Sequence, residues 1–291
     1  MGYLVRTTAL FMVLTLIFMG IGALLWYLLF DGSTNSLWMI MGIFIALSVA
    51  INMFSFFFSK KIVLRAHRVR IIKRIDNPRL YDIVEGIARN AALPMPEVGI
   101  TDNPTPNAFA TGRGPKNAAV VATTGLLAIL DDSELRGVMA HEMAHVKNRD
   151  VLIMSVAATI AGAISILARF AIFSTIGQRN NAGALAIVIL AYITIPIAAM
   201  LIQMGISRGR EYKADEAGAR ITNDPRSLAS ALDKLEKGNI SIPMMKENPS
   251  SAHMWISSPL GGKKSGGASL FSTHPPIQER INRLNRMAGK L

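Results

Sequence analysis

His141-Glu142-Met143-Ala144-His145 is the stretch on which the reading of this chain turns. On an α-helix, two histidines four residues apart lie one turn apart on the same face, so both imidazoles can grip one metal ion. Glu142 can then lean over that ion as general base for a water, which zinc acidifies toward a pKa of ~7. A chance pattern on an amphipathic helix is the plain alternative, and the flanking sequence weakens it. A helix through the motif needs a start, and Asp131, Asp132 and Ser133 each offer a capping side chain.

Of the 291 residues, 51% are hydrophobic, and they come in blocks. No charged residue occurs over 7–30, 32–59, 151–168 or 180–207. A bilayer core of ~30 Å takes ~20 helical residues, so the first, second and fourth blocks are long enough to cross it. The third is marginal, with Arg169 placed to snorkel toward the headgroups. The first block is too long for the apolar part of a cleaved signal peptide, and no convincing small-residue cleavage site precedes Asp31. The expectation is four transmembrane helices in two hairpins, 1–60 and 151–206, with Pro196 kinking the fourth.

Charge gives an orientation. Lys60, Lys61, Arg65, Arg68, Arg70, Lys73 and Arg74 follow the second block with no acid before Asp76. Lys147 and Arg149 precede the third block, and Arg208, Arg210 and Lys213 follow the fourth. Four crossings put all of these on one side together with Arg6, and the opposite loops carry Asp31 and Arg179. The positive-inside rule then places the polar segments 61–150 and 207–291 in the cytoplasm. Membrane flanks and contact with anionic lipid account for the net charge of +12, without nucleic acid as a partner. With no cysteine there is neither a disulfide nor a thiolate metal site, which suits a reducing compartment.

Within 61–150, helical spacing over 79–90 puts Leu80, Ile83, Val84 and Ile87 on one face. Short strands are expected at 97–101, 107–111 and 118–123, with Gly112-Arg113-Gly114-Pro115-Lys116-Asn117 turning between the last two. Residues 208–237 read as one or two helices, 238–268 as a mobile loop and 277–287 as a final helix. The fold class expected is α+β, mostly α-helical, with a small β-sheet in the cytoplasmic part of a multi-pass membrane protein.

Two histidines leave a zinc site short of a third protein ligand. In Arg210-Glu211-Tyr212-Lys213-Ala214-Asp215 the best candidate is Glu211, which shares a helix face with Asp215. Asp215 can accept a hydrogen bond from the remaining ring N–H of a ligand histidine and fix its tautomer. Such a pair alone is usually a solvated face; after the histidine motif it carries more weight.

The runs HEMAHVKNRD at 141–150, EYKAD at 211–215 and STHPP at 272–276 together resemble HtpX-type membrane zinc metalloproteases. These group with the CaaX-prenyl endopeptidases among the gluzincins. The resemblance extends over essentially the whole chain, including both hydrophobic hairpins and Asn107-Ala108-Phe109-Ala110. It implies one Zn2+ per chain, held by His141, His145 and Glu211, with Glu142 as catalytic base. It implies endopeptidase action on misfolded or damaged membrane proteins and unfolded polypeptides, in quality control under envelope or heat stress, at the cell (inner) membrane. Asn107, Ala108, Phe109 and Ala110 match an edge strand that pairs with extended substrate backbone, and His274 matches a donor to the oxyanion. Arg208 and Arg280 are further candidates between which the sequence does not choose.

Two other readings stand beside this one. A prenyl-protein protease would run the same chemistry on lipidated C termini, but those relatives typically have more spans. A membrane scaffold with a structural metal would normally fill all four positions with Cys or His. One expectation comes from spacing alone. Asp150 lies five residues beyond His145, and Glu211 four beyond Ser207. At 1.5 Å per helical residue, the metal then sits within ~10 Å of the third and fourth blocks, near the membrane surface.

Overall fold

A computed structural model of the chain describes residues 3–29, 34–157, 159–160, 208–241 and 275–290. Helices α1 (Tyr3–Leu29) and α2 (Thr34–Ala66) form an antiparallel hairpin. Polar side chains tie its two arms together. Thr15 and Ser48 share a hydroxyl hydrogen bond of 2.9 Å, and Trp26 donates to Ser36 at 3.1 Å. Outward-facing Trp38, Met39, Phe54, Phe57 and Phe58 leave the other side of α2 apolar. Among the described residues, the segment Ser36–Ala66 is the one long and apolar enough to cross a bilayer. The shorter apolar stretch Thr7–Gly20 lies in α1. Of the four expected spans, half of the third and all of the fourth lie outside the described residues, at 158 and within 161–207.

Past α2 comes a four-stranded mixed sheet in the order β1-β2-β4-β3. Its strands are β1 (Arg70–Ile72), β2 (Glu97–Thr101), β3 (Ala108–Gly114) and β4 (Asn117–Thr123). β2 runs parallel to β4, and both outer pairings are antiparallel. Both faces are covered. Val98, Ile100, Ala108, Ala110, Val120 and Ala122 join the main core, while Phe109 and Val121 pack against Val63 of α2. Strands buried on two sides read as continuous apolar runs rather than as alternation.

The sheet differs from the sequence expectation in two respects. β1 was not expected, because three residues inside a basic run carry no strand signal until β2 pairs with them. The β3–β4 turn is also tighter than 112–117, with β3 running on to Gly114 through an irregularity at Gly112 and Gly114. Those glycines stand at φ 136° and 139°, and a Cβ on Gly112 would lie 2.1 Å from the Asn117 carbonyl oxygen. Only glycine fits there.

Helix α3 (Pro78–Asn90) starts at an Asn77 side chain that accepts from Leu80 N at 2.9 Å, and it buries Leu80, Ile83, Val84 and Ile87. A short α4 (Thr124–Ile129) leads to α5 (Asp132–Lys147), which carries the histidine motif. The C-terminal part adds α6 (Arg208–Thr222), α7 (Pro225–Ser241) and α8 (Ile277–Ala288). α7 continues three residues past Gly238, where the loop was expected to begin; the remainder of that loop lies outside the described residues. After α5 the chain is helical again over 150–157, and Leu152, Ile153 and Val156 pack on Leu10 and Leu14 of α1.

Candidate metal centre

α5 is buried along almost its whole length, from Glu134 to Val146. Its first turn is locked by a capping box. Asp131 accepts from Glu134 N at 2.9 Å, and Glu134 accepts from Asp131 N at 3.0 Å. The Glu134 carboxylate also takes hydrogen bonds from Ser230 and Lys234, both at 2.7 Å, which fastens α7 to the start of α5. Two glycines let neighbouring helices approach closely. A Cβ on Gly137 would lie 3.0 Å from Leu228 backbone atoms of α7. One on Gly218 of α6 would lie 2.9 Å from the His141 nitrogen and 3.0 Å from its Cα. Glu211, Asp215 and Gly218 recur at i, i+4 and i+7, so they form one stripe of α6 facing α5.

That stripe brings the donors together. His141 Nε2 lies 3.7 Å from Glu211 Oε2, and His145 Nε2 lies 3.4 Å from Glu211 Oε1. One donor atom from each of the three residues falls within 4.8 Å of the others, and all three residues are buried. The imidazole planes stand at 88° to each other. Four-coordinate zinc with bonds of ~2.0–2.2 Å separates its donors by ~3.3–3.6 Å, so two imidazoles and one carboxylate at these distances fit that ion.

Each histidine meets a carboxylate through its other ring nitrogen. His141 Nδ1 is 2.9 Å from Asp215 Oδ1, and His145 Nδ1 is 3.5 Å from Asp150 Oδ2. Both Nε2 atoms are thereby turned toward Glu211. Asp215 is in turn clamped by Arg280 of α8, which donates through Nε at 2.8 Å and a terminal nitrogen at 2.7 Å. Another Arg280 nitrogen lies 3.7 Å from Glu211. Arg280 is wholly buried, whereas Arg208 is exposed at the first position of α6. The structure thus brings Arg280, not Arg208, to the centre.

Charge explains the titration of these groups. Burial would raise the Asp215 carboxyl, but the Arg280 charge and hydrogen bonds from Arg280 and His141 hold it down at about 2. Burial would lower His145, yet Asp150, Glu211 and Glu142 raise it to about 10. Burial pushes Glu142 above the usual carboxylate range, against the pull of His141, His145 and Arg280. Four buried carboxylates, on Glu142, Asp150, Glu211 and Asp215, converge on this pocket, which favours a cation.

The chain matches the family model described as Peptidase family M48 over residues 74–288. It belongs to peptidase family M48. Curated relatives called "Protease HtpX homolog" align over nearly the full length. The Persephonella marina protein (strain DSM 14350 / EX-H1) is 47% identical over 294 residues, covering 99% of this chain and 98% of that one. The Thermococcus sibiricus protein (strain DSM 12597 / MM 739) is 46% identical, covering 100% and 98%. Among solved structures, S. mikatae Ste24p superposes with a TM-score of 0.49 at 19% identity, covering 97% of this chain and 67% of that one. This M48 protein is a zinc metalloprotease of the HtpX type.

The other expected site residues are distributed as follows. Ala108, Phe109 and Ala110 open β3, and Asn107 immediately precedes it. β3 pairs with β4 on one side only, so it is an edge of the sheet. Thr123 N donates to Asn107 O, which sets the phase: residues 109 and 111 bond toward β4, and 108, 110 and 112 point off the edge. The Asn107 side chain caps Ala108 N at 2.8 Å, and Ser155 caps Gly112 N at 3.2 Å, with the Ala110 backbone between them. His274 lies outside the described residues.

Sequence reasoning missed the roles of Asp150, Gly218 and Gly137. Arg280 had a readable signal. Ile277, Arg280, Ile281 and Leu284 share one apolar stripe of α8, and an arginine in such a stripe needs a buried acid.

Proposed function

We propose that this M48 protease is an endopeptidase that cleaves membrane-anchored or unfolded polypeptides close to the cytoplasmic membrane surface, in membrane-protein quality control and stress response. The observation that carries this reading is the convergence of His141, His145 and Glu211 beside the buried carboxylate of Glu142. His141, His145 and Glu211 would hold the zinc, which would supply Lewis acidity to the peptide carbonyl and to the attacking water. Glu142, one residue from the ligand His141 and buried beside the site, takes the proton from that water and passes it to the leaving amine. Asp215 and Asp150 keep the Nε2 atoms of the two histidines turned toward Glu211, where the ion would sit, and Arg280 keeps Asp215 ionised. The Ala110 N–H and C=O, on the side of β3 turned away from β4, pair with extended substrate backbone once substrate enters beside the strand, so selection falls on chain conformation more than on side chains. The basic run at the C-terminal end of α2, against Asp31 before its start, supports the cytoplasmic orientation.

The test compares wild type with Glu142→Gln for casein cleavage, with bound metal quantified in both. Turnover in wild type that chelation abolishes, and a fall of about 10²–10⁴ in the variant with its zinc retained, support the assignment. Equal cleavage by both proteins would overturn Glu142 as the base.

A further inference from the structure

One end of the sheet is aligned with the apolar end of α2. Lys60 near the end of α2 contacts Glu97 at the start of β2 at 2.8 Å. The register Ile72↔Val98 places Lys73 beside Glu97, so β1 has turned back along α2 toward its apolar part. The β3–β4 turn lies at the same end, with the Arg113 guanidinium 5.5 Å and 5.2 Å from the Phe56 and Phe57 ring centres. Arg149 joins them, because a Cβ on Gly114 would meet its side chain at 3.6 Å. The far end of the sheet sits level with His67 instead, whose carbonyl accepts from Thr101 at 2.6 Å.

At this near end the turn Lys73–Asp76 is closed on both sides. Asp76 N donates to Lys73 O at 3.0 Å, and Lys73 N donates to the Asp76 carboxylate at 2.7 Å. Held at its tip is Ile75, 87% exposed, the most exposed large hydrophobic residue described. Lys73 and Arg74 flank it in the same turn, and Arg113, Lys116 and Arg149 stand across the same end of the sheet at the β3–β4 turn, while the acids Glu97, Asp76 and Asp82 offset only part of that charge. A lone exposed isoleucine is ordinary in water; this one is fixed level with the apolar part of α2, at an end of the sheet rich in cations, which matches the headgroup boundary of an anionic bilayer.

We propose that this end of the sheet is a lipid-docking face, with Ile75 inserted at the headgroup boundary of an anionic bilayer and the surrounding cations on its phosphates. The proposal rests on the reading of α2 as a membrane span. Docking holds the protease domain down against the surface that α2 leaves, and Arg149, one residue before Asp150, carries that contact to the metal centre.

A chain without cysteine makes the test direct. Single variants Ile75→Cys, Phe54→Cys and Asn285→Cys of the full chain, each nitroxide-labelled, are placed in nanodiscs of phosphatidylcholine with or without phosphatidylglycerol. Accessibility to oxygen and to a neutral nickel complex reports depth at each position. The expected result is loss of nickel access at position 75 relative to 285 in the anionic discs, reversed by high salt or by removing phosphatidylglycerol. Nickel access at 75 equal to that at 285, with the label at 54 in lipid, overturns the docking face. A water-exposed label at 54 overturns the membrane reading itself.

Discussion

Gly218→Ala tests how the metal centre is assembled, because it adds one methyl group and removes no ligand. That Cβ would stand 2.9 Å from the His141 nitrogen and 3.0 Å from its Cα, where ordinary contact begins near 3.4 Å. Both obstructing atoms are backbone, so no rotamer change relieves the clash, and α6 must move off α5 by about 0.5 Å or more. A shift of that size reaches the tolerance of ~0.5 Å within which a metal constellation works. Overpacking of this kind costs about 1–3 kcal/mol, and if it falls on the Glu211 side of the site, zinc affinity drops roughly 5- to 150-fold. Gly137→Ala is the matched control. It crowds the other side of α5 at 3.0 Å from Leu228, on α7, which supplies no donor. Chelator-competition titration of zinc and thermal unfolding of the metal-free proteins separate the two effects. Both variants should melt earlier, and only Gly218→Ala should lose most of its zinc affinity. Equal zinc affinities in the two variants would refute the claim that Gly218 sets the reach of Glu211.

Three further outcomes are expected. Asp215→Asn leaves Arg280 buried without its carboxylate, a change that costs about 3–5 kcal/mol in thermal or denaturant unfolding. In wild type the Asp215 pKa is depressed, so its contribution is complete above the ordinary value of 3.8 and disappears as pH falls through about 2. Melting temperature against pH should therefore fall more steeply over that window in wild type than in Asp215→Asn; parallel curves would remove Asp215 as the cause. Glu134→Ala should destabilise by about 1–2 kcal/mol in urea titration, since it removes half of the capping box and two bonds from α7, while Glu134→Gln keeps the cap and loses less. Raising free zinc to about a hundred times its dissociation constant should add ~2.7 kcal/mol of stability that chelation reverses, and an unchanged melting curve would mean that no folded-state site binds it.

What could be read from the sequence follows the range over which each interaction acts. The histidine spacing, the Glu211–Asp215 pair and the Asp131 cap are settled within a few turns of one helix, and they stand in the structure where that local geometry puts them. β1 is invisible locally because Arg70-Ile71-Ile72 becomes a strand only through β2. Gly218 reads as a poor helix residue until α5 lies against it. Asp150 reads as the last charge before an apolar block. Its approach to His145 depends on Arg149 at φ 59°, a left-handed step that turns the chain back after α5, and no residue type there announces it.

The carboxylates behind the two histidines come from separate parts of the chain, and this bears on when the centre can form. Asp215 belongs to α6, where the chain resumes after the second hydrophobic pair, and Asp150 stands where it enters that pair. Arg210, one residue before Glu211, lies 3.8 Å from Asp150, so the two approaches meet beside the ion site. Arg280 adds the C-terminal helix by clamping Asp215. A histidine motif on α5 alone would present two imidazoles with unfixed tautomers and no third ligand. High zinc affinity therefore requires that both flanks of the second hydrophobic pair, and then α8, be in place. The residues 152, 153 and 156 that follow Asp150 pack on α1, so correct seating of the first hairpin propagates along the same segment. Zinc loading is therefore expected to follow assembly of these helices: the chain truncated before α8 should retain less zinc than the full chain in chelator competition, and equal retention would refute the coupling.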